Sequence, residues 1–175
     1  MRNPSVLLGI ATFCVLALTA IRVGAQSVQP TSETYSWSGE LVGFDANSRI
    51  ITVKSRVVGD QALAEFRNFK AGDRIVLTWS GFDTYADAIS RAVRYDASKK
   101  WNEPFTFPVE FVAYEPPRQY VTFKFQVPVS SLDAVKSVKP GEWVTAISKH
   151  RASSETEAIM AVNAYTAGAS RSSTN

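Results

Sequence analysis

Alternating apolar and polar residues predict β-strands along most of the chain. From Ile51 to Val57 the odd positions are mostly apolar, whereas Thr52 and Lys54 between them are polar. A period of two residues places the apolar side chains on one face of a strand. The stretch 121–127 alternates in the same way. We therefore expect each of these strands to have one buried and one solvated face.

The same pattern occurs twice, at an offset of 70 residues, which is 110 minus 40. Residues 40–45 and 110–115 match acid with acid and apolar with apolar. Each copy continues with a turn, a strand, a short helix, a glycine turn at Gly72 or Gly141, and two further strands. This order of features predicts an internal duplication. Chance agreement between two β-rich stretches is the alternative.

Short strands with a helix at one end are typical of small closed barrels, because closure removes the exposed edges of a sheet. We therefore expect an all-β fold with short helices, arranged as two tandem small OB-like β-barrels. The two repeats span 34–96 and 105–165. Between them, 97–104 is the predicted linker, and 166–175 is a predicted disordered tail of small polar residues.

The N-terminus has the three features of a secretory signal peptide, predicted at 1–25. Arg2 supplies the positive start, the run 6–20 is apolar, and small residues precede a cleavage point before Gln26. The apolar run is shorter than the roughly 20 residues that a transmembrane helix needs, and Arg22 follows it. A cleaved signal is therefore favoured over a membrane anchor.

Removal of this signal changes the composition of the mature chain. The single cysteine, Cys14, is lost, so no thiol remains for a disulfide or a soft metal. The full chain has 19 basic and 16 acidic residues, and the signal contains Arg2, Arg22 and no acid. The mature chain thus has 17 basic residues against 16 acidic ones, a net charge of +1. This balance argues against nucleic acid as a partner.

A family resemblance follows from three segments, Gly39–Asp45, Ile50–Val53 and Phe69–Ile75. Together they resemble the small β-barrels of periplasmic CusF-like copper chaperones and of related barrel domains of unknown function. The resemblance implies a small barrel in the periplasm. Those chaperones bind Cu(I) through a histidine, two methionines and a capping tryptophan. The mature chain has only His150 and Met160, so the copper activity is not expected, and no metal or cofactor is predicted.

Catalytic residues are not marked by any motif. His150 lies between two cations, Lys149 and Arg151, and is predicted to be a solvated loop residue. Any Ser-His-Asp triad would have to use this histidine, and no serine has a nucleophile-elbow pattern around it. A pair of carboxylates for sugar hydrolysis remains an alternative, because the two members of such a pair are brought together by the fold and need not be close in sequence.

Aromatic residues are the candidate binding residues. Trp79 is in phase with the apolar positions of its strand and is predicted to fill a barrel. Trp143 is out of phase and takes the position of Arg74 in the first copy, so it needs a cover from another part of the chain or from a ligand. Phe82 and Tyr85 lie together in one loop. We predict weak binding roles for Phe82, Tyr85 and Trp143.

The sequence thus predicts an exported, non-enzymatic binding or scaffold protein of the bacterial envelope, secreted or periplasmic, without a membrane span in the mature chain. Its expected partner is another envelope protein or a small ligand. An enzyme of unidentified class, such as a hydrolase, and a metal carrier are the alternatives. Neither the ligand nor the oligomeric state is specified by the sequence.

Overall fold

The computed structural model describes residues 33–82, 84–99 and 103–166, which are mostly β-strand. The strands in these residues are β1 (Thr34–Asp45), β2 (Ile50–Arg56), β3 (Arg74–Phe82), β4 (Tyr85–Arg94), β5 (Thr106–Glu115), β6 (Tyr120–Gln126), β7 (Trp143–Lys149) and β8 (Ile159–Ala164). The short α-helices are α1 (Asp60–Glu65), α2 (Leu132–Lys136) and α3 (Glu155–Ala158). Within these residues, no helix is long and apolar enough to cross a membrane. The predicted signal peptide and the predicted tail beyond Thr166 lie outside them.

The strands form one sheet in the order β2-β6-β5-β3-β4-β1-β7-β8, with a further pairing between β1 and β2. That pairing closes β1, β2, β6, β5, β3 and β4 into a six-stranded barrel, and β7 and β8 extend the sheet from β1. The arrangement differs from the two tandem barrels that we predicted for 34–96 and 105–165. Strands from both segments share the same barrel.

The first half of the chain (34–96) and the second half (105–165) nevertheless have matching registers. Glu40 pairs with Lys54 between β1 and β2, and Glu110 pairs with Lys124 between β5 and β6, each followed by a bulge at the same place. Gly72 and Gly141 both have a φ of 89° and stand between a short helical segment and a strand. The prediction that these two glycines occupy equivalent turns is confirmed. Below, residues at matching positions of the two halves are called equivalent.

The halves exchange strands, which explains why they do not form separate barrels. β3 of the first half pairs with β5 of the second, and β7 of the second pairs with β1 of the first. β2 and β6 pair with each other around Val53 and Phe123, which are themselves equivalent. Alternation specifies which face of a strand is buried, but it does not specify the neighbouring strand. The sequence pattern therefore could not distinguish exchanged from separate halves.

Aromatic rings fill the interior of the barrel. Trp37 stacks on Trp79, with ring centroids 4.5 Å apart, and on Phe107 at 5.4 Å. The indole N–H of Trp37 donates a hydrogen bond of 2.8 Å to the hydroxyl of Ser148, so its polar group is satisfied in the core. Trp79 is only 2% exposed. The prediction that Trp79 fills the barrel is confirmed.

A cavity at an open seam

The two halves differ where the barrel closes. On one side β4 begins at Tyr85, which pairs with Ser36 of β1, and the Ser36 N–H donates a 2.7 Å hydrogen bond to the Thr84 carbonyl. We call this contact the closed seam. The equivalent of Tyr85 is Glu155, which begins helix α3 instead of a strand. In the described part of the chain, β5 and β8 are consequently not paired, and we call the gap between them the open seam.

Local chemistry explains the helical turn at α3. The segment from Ser153 to Glu157 has the serines and acids that favour a helix start, because acids interact well with the N-terminal end of the helix dipole. The Ser153 hydroxyl donates a 2.8 Å hydrogen bond to the Glu157 carboxylate, and the Lys149 ammonium donates one of 3.4 Å. These two bonds hold the pKa of Glu157 below its usual value.

A proline also limits pairing at the open seam, where the start of β5 is bridged to Arg151 at Thr106. Trp79 N–H donates to the carbonyl of Phe105, and Phe111 N–H donates to the carbonyl of Asp73, so odd-numbered residues of β5 direct their backbone groups at β3. The backbone of Pro108 therefore faces the other way, toward the open seam. Because proline has no N–H, this edge of β5 offers no donor at that position to a further strand.

A cavity of about 640 Å³ occupies the open seam. This volume lies in the range of roughly 300–1,000 Å³ that small-molecule sites usually have. Ten of its seventeen lining residues are apolar: Ile50, Phe107, Pro108, Val109, Phe125, Val127, Pro128, Ala158, Ile159 and Met160. Phe107, Val109 and Phe125 are buried, whereas Met160 is 40% exposed and lies where the cavity meets solvent.

The other lining residues are polar or charged, and among them Gln126 and Thr156 are uncharged. Arg74, at the start of β3, forms an ion pair with Glu155 of α3, and its guanidinium lies 4.2 Å from the ring centroid of Tyr95. Lys124 and Glu110 form a second ion pair at 2.7 Å. The remaining charged residue in the lining is Arg49.

Arg49 is held in place by its backbone, while its side chain makes no ion pair among the described residues. It follows the β1–β2 turn with a φ of 59°, and its carbonyl accepts a 2.8 Å hydrogen bond from the N–H of Val127. Gln119 is its equivalent, with a φ of 56° and the same bond from Val57. The two halves thus build the same turn, but the turn at the open seam has a cation at the position where the other turn has Gln119.

The predicted binding residues lie elsewhere. Phe82 is 82% exposed at the end of the β3–β4 hairpin, where it pairs with Tyr85. Trp143 is 43% exposed and its ring lies 6.4 Å from that of Tyr165. Burial, followed by the nearby charges of Asp87 and Tyr165, raises the pKa of Tyr85. Tyr85, Trp143 and Tyr165 therefore form one half-exposed group, which we call the aromatic patch, beside the closed seam.

The aromatic patch and the rim of the cavity are equivalent positions. Tyr85, Trp143 and Tyr165 correspond to Glu155, Arg74 and Tyr95. The sequence comparison noted that Trp143 takes the position of Arg74, but it did not identify the cavity. Two signals in the sequence mark the cavity: the helix-starting serines and acids near Glu155, and a proline at 108 where β1 has Ser38.

The structure corrects the prediction for His150. Its ring is partly buried, stacked against Tyr35 at 5.6 Å and tilted against Phe105 at 4.6 Å. A partly buried histidine between two rings packs the end of the barrel, and it is not the solvated loop residue that its charged neighbours suggested. Within the described residues, no three metal-ligating side chains lie together.

No protein-family model matches this chain, and neither the curated proteins nor the solved structures give a significant match. The resemblance to CusF-like barrels is therefore still a prediction. Inferences about function rest on the chemistry of the site itself.

Proposed function

We propose that this protein is an exported, non-enzymatic binding protein that holds a small ligand in the cavity of the open seam. The observation that supports this most is a cavity of about 640 Å³, lined by both apolar and charged residues, that opens at the surface of an otherwise well-filled barrel. Small barrels normally fill their interior with side chains, as Trp37 and Trp79 do here. A cavity retained beside such a core is a default candidate for a ligand site.

A screen of small fragments by methyl NMR tests this function. Fragments that bind should shift the methyl signals of Val109, Ile159 and Met160, which line the cavity. Met160→Trp should block binding by filling the mouth of the cavity. Met160→Leu is the matched control, because it keeps the volume and the apolar character. If no fragment moves these signals, or if Met160→Trp leaves binding unchanged, the cavity is not a ligand site.

The aromatic patch supports a second candidate, a contact surface for another envelope protein. Tyr85, Trp143 and Tyr165 are each at least 40% exposed, and Phe82 projects from the neighbouring hairpin. Exposed tyrosine and tryptophan side chains are enriched at protein interfaces. The fragment screen separates the two candidates, because shifts centred on Trp143 and Tyr85 would favour the patch over the cavity.

Export is the part of the proposal that rests on the N-terminal sequence. Cleavage before Gln26 is expected, because small residues precede it and an apolar run stands upstream. Mass spectrometry of the protein recovered from the cell envelope or the medium measures the new N-terminus. A chain that still contains Arg22 would contradict cleavage at this point.

A further inference from the structure

The charges that line the cavity indicate what kind of ligand it takes, an inference that rests on the proposed function. The lining contains three cations, Arg49, Arg74 and Lys124, and two anions, Glu110 and Glu155. Two of the cations are matched by the two anions, through the Arg74–Glu155 and Lys124–Glu110 ion pairs. One positive charge is left over, and it belongs to Arg49.

Arg49 is placed at the boundary between solvent and the apolar lining. Its side chain is partly exposed, and the next residue, Ile50, is part of the apolar lining. The hydrogen bond from Val127 fixes the backbone that carries the guanidinium. A planar guanidinium binds a carboxylate or phosphate through two parallel hydrogen bonds, which are stronger than bonds between neutral groups.

The rest of the lining suits a flexible apolar body. Ile50 and Pro128 are partly exposed apolar residues of the lining, and the methionine at 160 has an unbranched side chain that adapts to ligands of different shape. A ligand without an apolar part would leave the apolar residues of the cavity in contact with water and gain nothing from their burial. A cationic ligand would be repelled by Arg49.

We propose that the cavity binds an anionic amphiphile, a molecule with one carboxylate or phosphate group on an apolar chain. The anionic group pairs with Arg49, and the apolar chain lies between β5, β6 and β8. The second half of the chain supplies most of the apolar surface, and the first half supplies the cation.

Titration with four probes of equal chain length tests the proposal: decanoate, decyl phosphate, decanol and decylamine, each below its micelle-forming concentration. The methyl signals of Val109 and Ile159 report occupancy of the cavity. Decanoate or decyl phosphate should bind about tenfold more tightly than decanol, because a charge-assisted hydrogen bond is added. Decylamine should bind more weakly than decanol. The two anionic probes compared with each other decide between a carboxylate and a phosphate head.

Arg49→Gln is the decisive variant, because it installs the residue that the other half carries at Gln119. The backbone at both positions has the same positive φ, so the fold should be kept. The variant should bind decanol as before and lose most of the preference for the anions. Arg67→Gln, an exposed cation on the short helical turn after α1, is the matched control and should keep the preference.

The outcomes separate this inference from the proposed function. If decanol and decylamine occupy the cavity as tightly as the anionic probes, the cavity binds ligands but the inference is wrong. If Arg49→Gln keeps the full preference for anions, Arg49 does not hold the head group and the inference is again wrong. If none of the four probes shifts the methyl signals of the cavity, both the inference and the proposed ligand site fail.

Discussion

The closed seam and the open seam occupy equivalent places in the barrel, yet one is sealed and the other contains a cavity. At the closed seam, β4 reaches β1 through Ser36 and Tyr85. At the open seam, the residues equivalent to the start of β4 form α3, and Pro108 stands on the facing edge of β5. A change from strand to helix over four residues, Glu155–Ala158, together with a proline on the facing strand, thus separates a sealed contact from a cavity.

The largest expected effect is a loss of folding stability when a core ring beside one or the other seam is removed. Trp37 and Phe107 are equivalent and both are buried, but only Phe107 lines the cavity. Truncating a large core ring costs roughly 3–5 kcal/mol. Trp37→Ala should be the more costly, by about 1 kcal/mol or more, since it also deprives the buried Ser148 hydroxyl of its bond. Chemical denaturation of the two variants measures the difference, and equal losses would contradict this account of the seams.

Sealing the open seam is the next test of the comparison. The triple variant E155Y/T156A/E157D gives residues 155–158 the sequence of 85–88, because Ala158 already matches Ala88. We expect these residues to change from helical to extended chemical shifts, and ligand binding to be lost. Stability should change by only about 1 kcal/mol, since the replaced side chains are exposed. If residues 155–158 stay helical, the seam is determined by Pro108 or by packing and not by this segment.

The aromatic patch should contribute little to stability in spite of its large rings. Trp143 is 43% exposed and contacts Tyr165. Trp143→Ala should therefore cost about 1 kcal/mol, well below the 3–5 kcal/mol of a buried ring. Arg74→Ala, its equivalent at the rim of the cavity, should cost about 0.5 kcal/mol, because its ion pair with Glu155 is half exposed. A loss of several kcal/mol in Trp143→Ala, measured by thermal unfolding, would remove the patch as a candidate contact surface.

The smallest effect is expected at Asp73, in the turn that leads to Arg74. Its carboxylate accepts a 2.8 Å hydrogen bond from the Lys70 N–H and forms an ion pair with Arg94. Both interactions lower the pKa of Asp73. The stabilisation is therefore present above the usual pKa of an aspartate and is lost as the pH falls through the lowered value. Asp73→Asn should reduce the decline of Tm between neutral and acidic pH. If the variant and the original protein show the same change of Tm with pH, the ionised Asp73 carboxylate does not stabilise the fold.

The sequence predicted the strands and the turns well, because their causes are local. Alternation gave the buried faces of β2 and β6, and a residue with positive φ was expected at Gly72 and Gly141. Trp79 was placed inside because it is in phase with the apolar positions of β3. Each of these depends on a few neighbouring residues.

The strand exchange and the cavity could not be predicted from the same information. The pairing of β3 with β5 and of β1 with β7 joins residues that are far apart in sequence, and alternation is the same whichever strand lies alongside. The cavity exists because no strand fills the space beside β5, and no strand is there because α3 stands where the other half has the start of β4. Trp143 could be assigned to the polar face, whereas its grouping with Tyr85 and Tyr165 required the fold.

The exchange of strands has a further consequence for how the chain reaches its native state. The bond from Trp37 to Ser148 joins residues 111 positions apart, and β1 has its longest pairing with β7. Contacts of such high sequence separation slow folding, because loop closure must precede any gain from pairing. β1 cannot find its main neighbour until nearly the whole chain has been synthesised. Before that point β1 has only β2 and β4 as neighbours, so the sheet is completed late in synthesis.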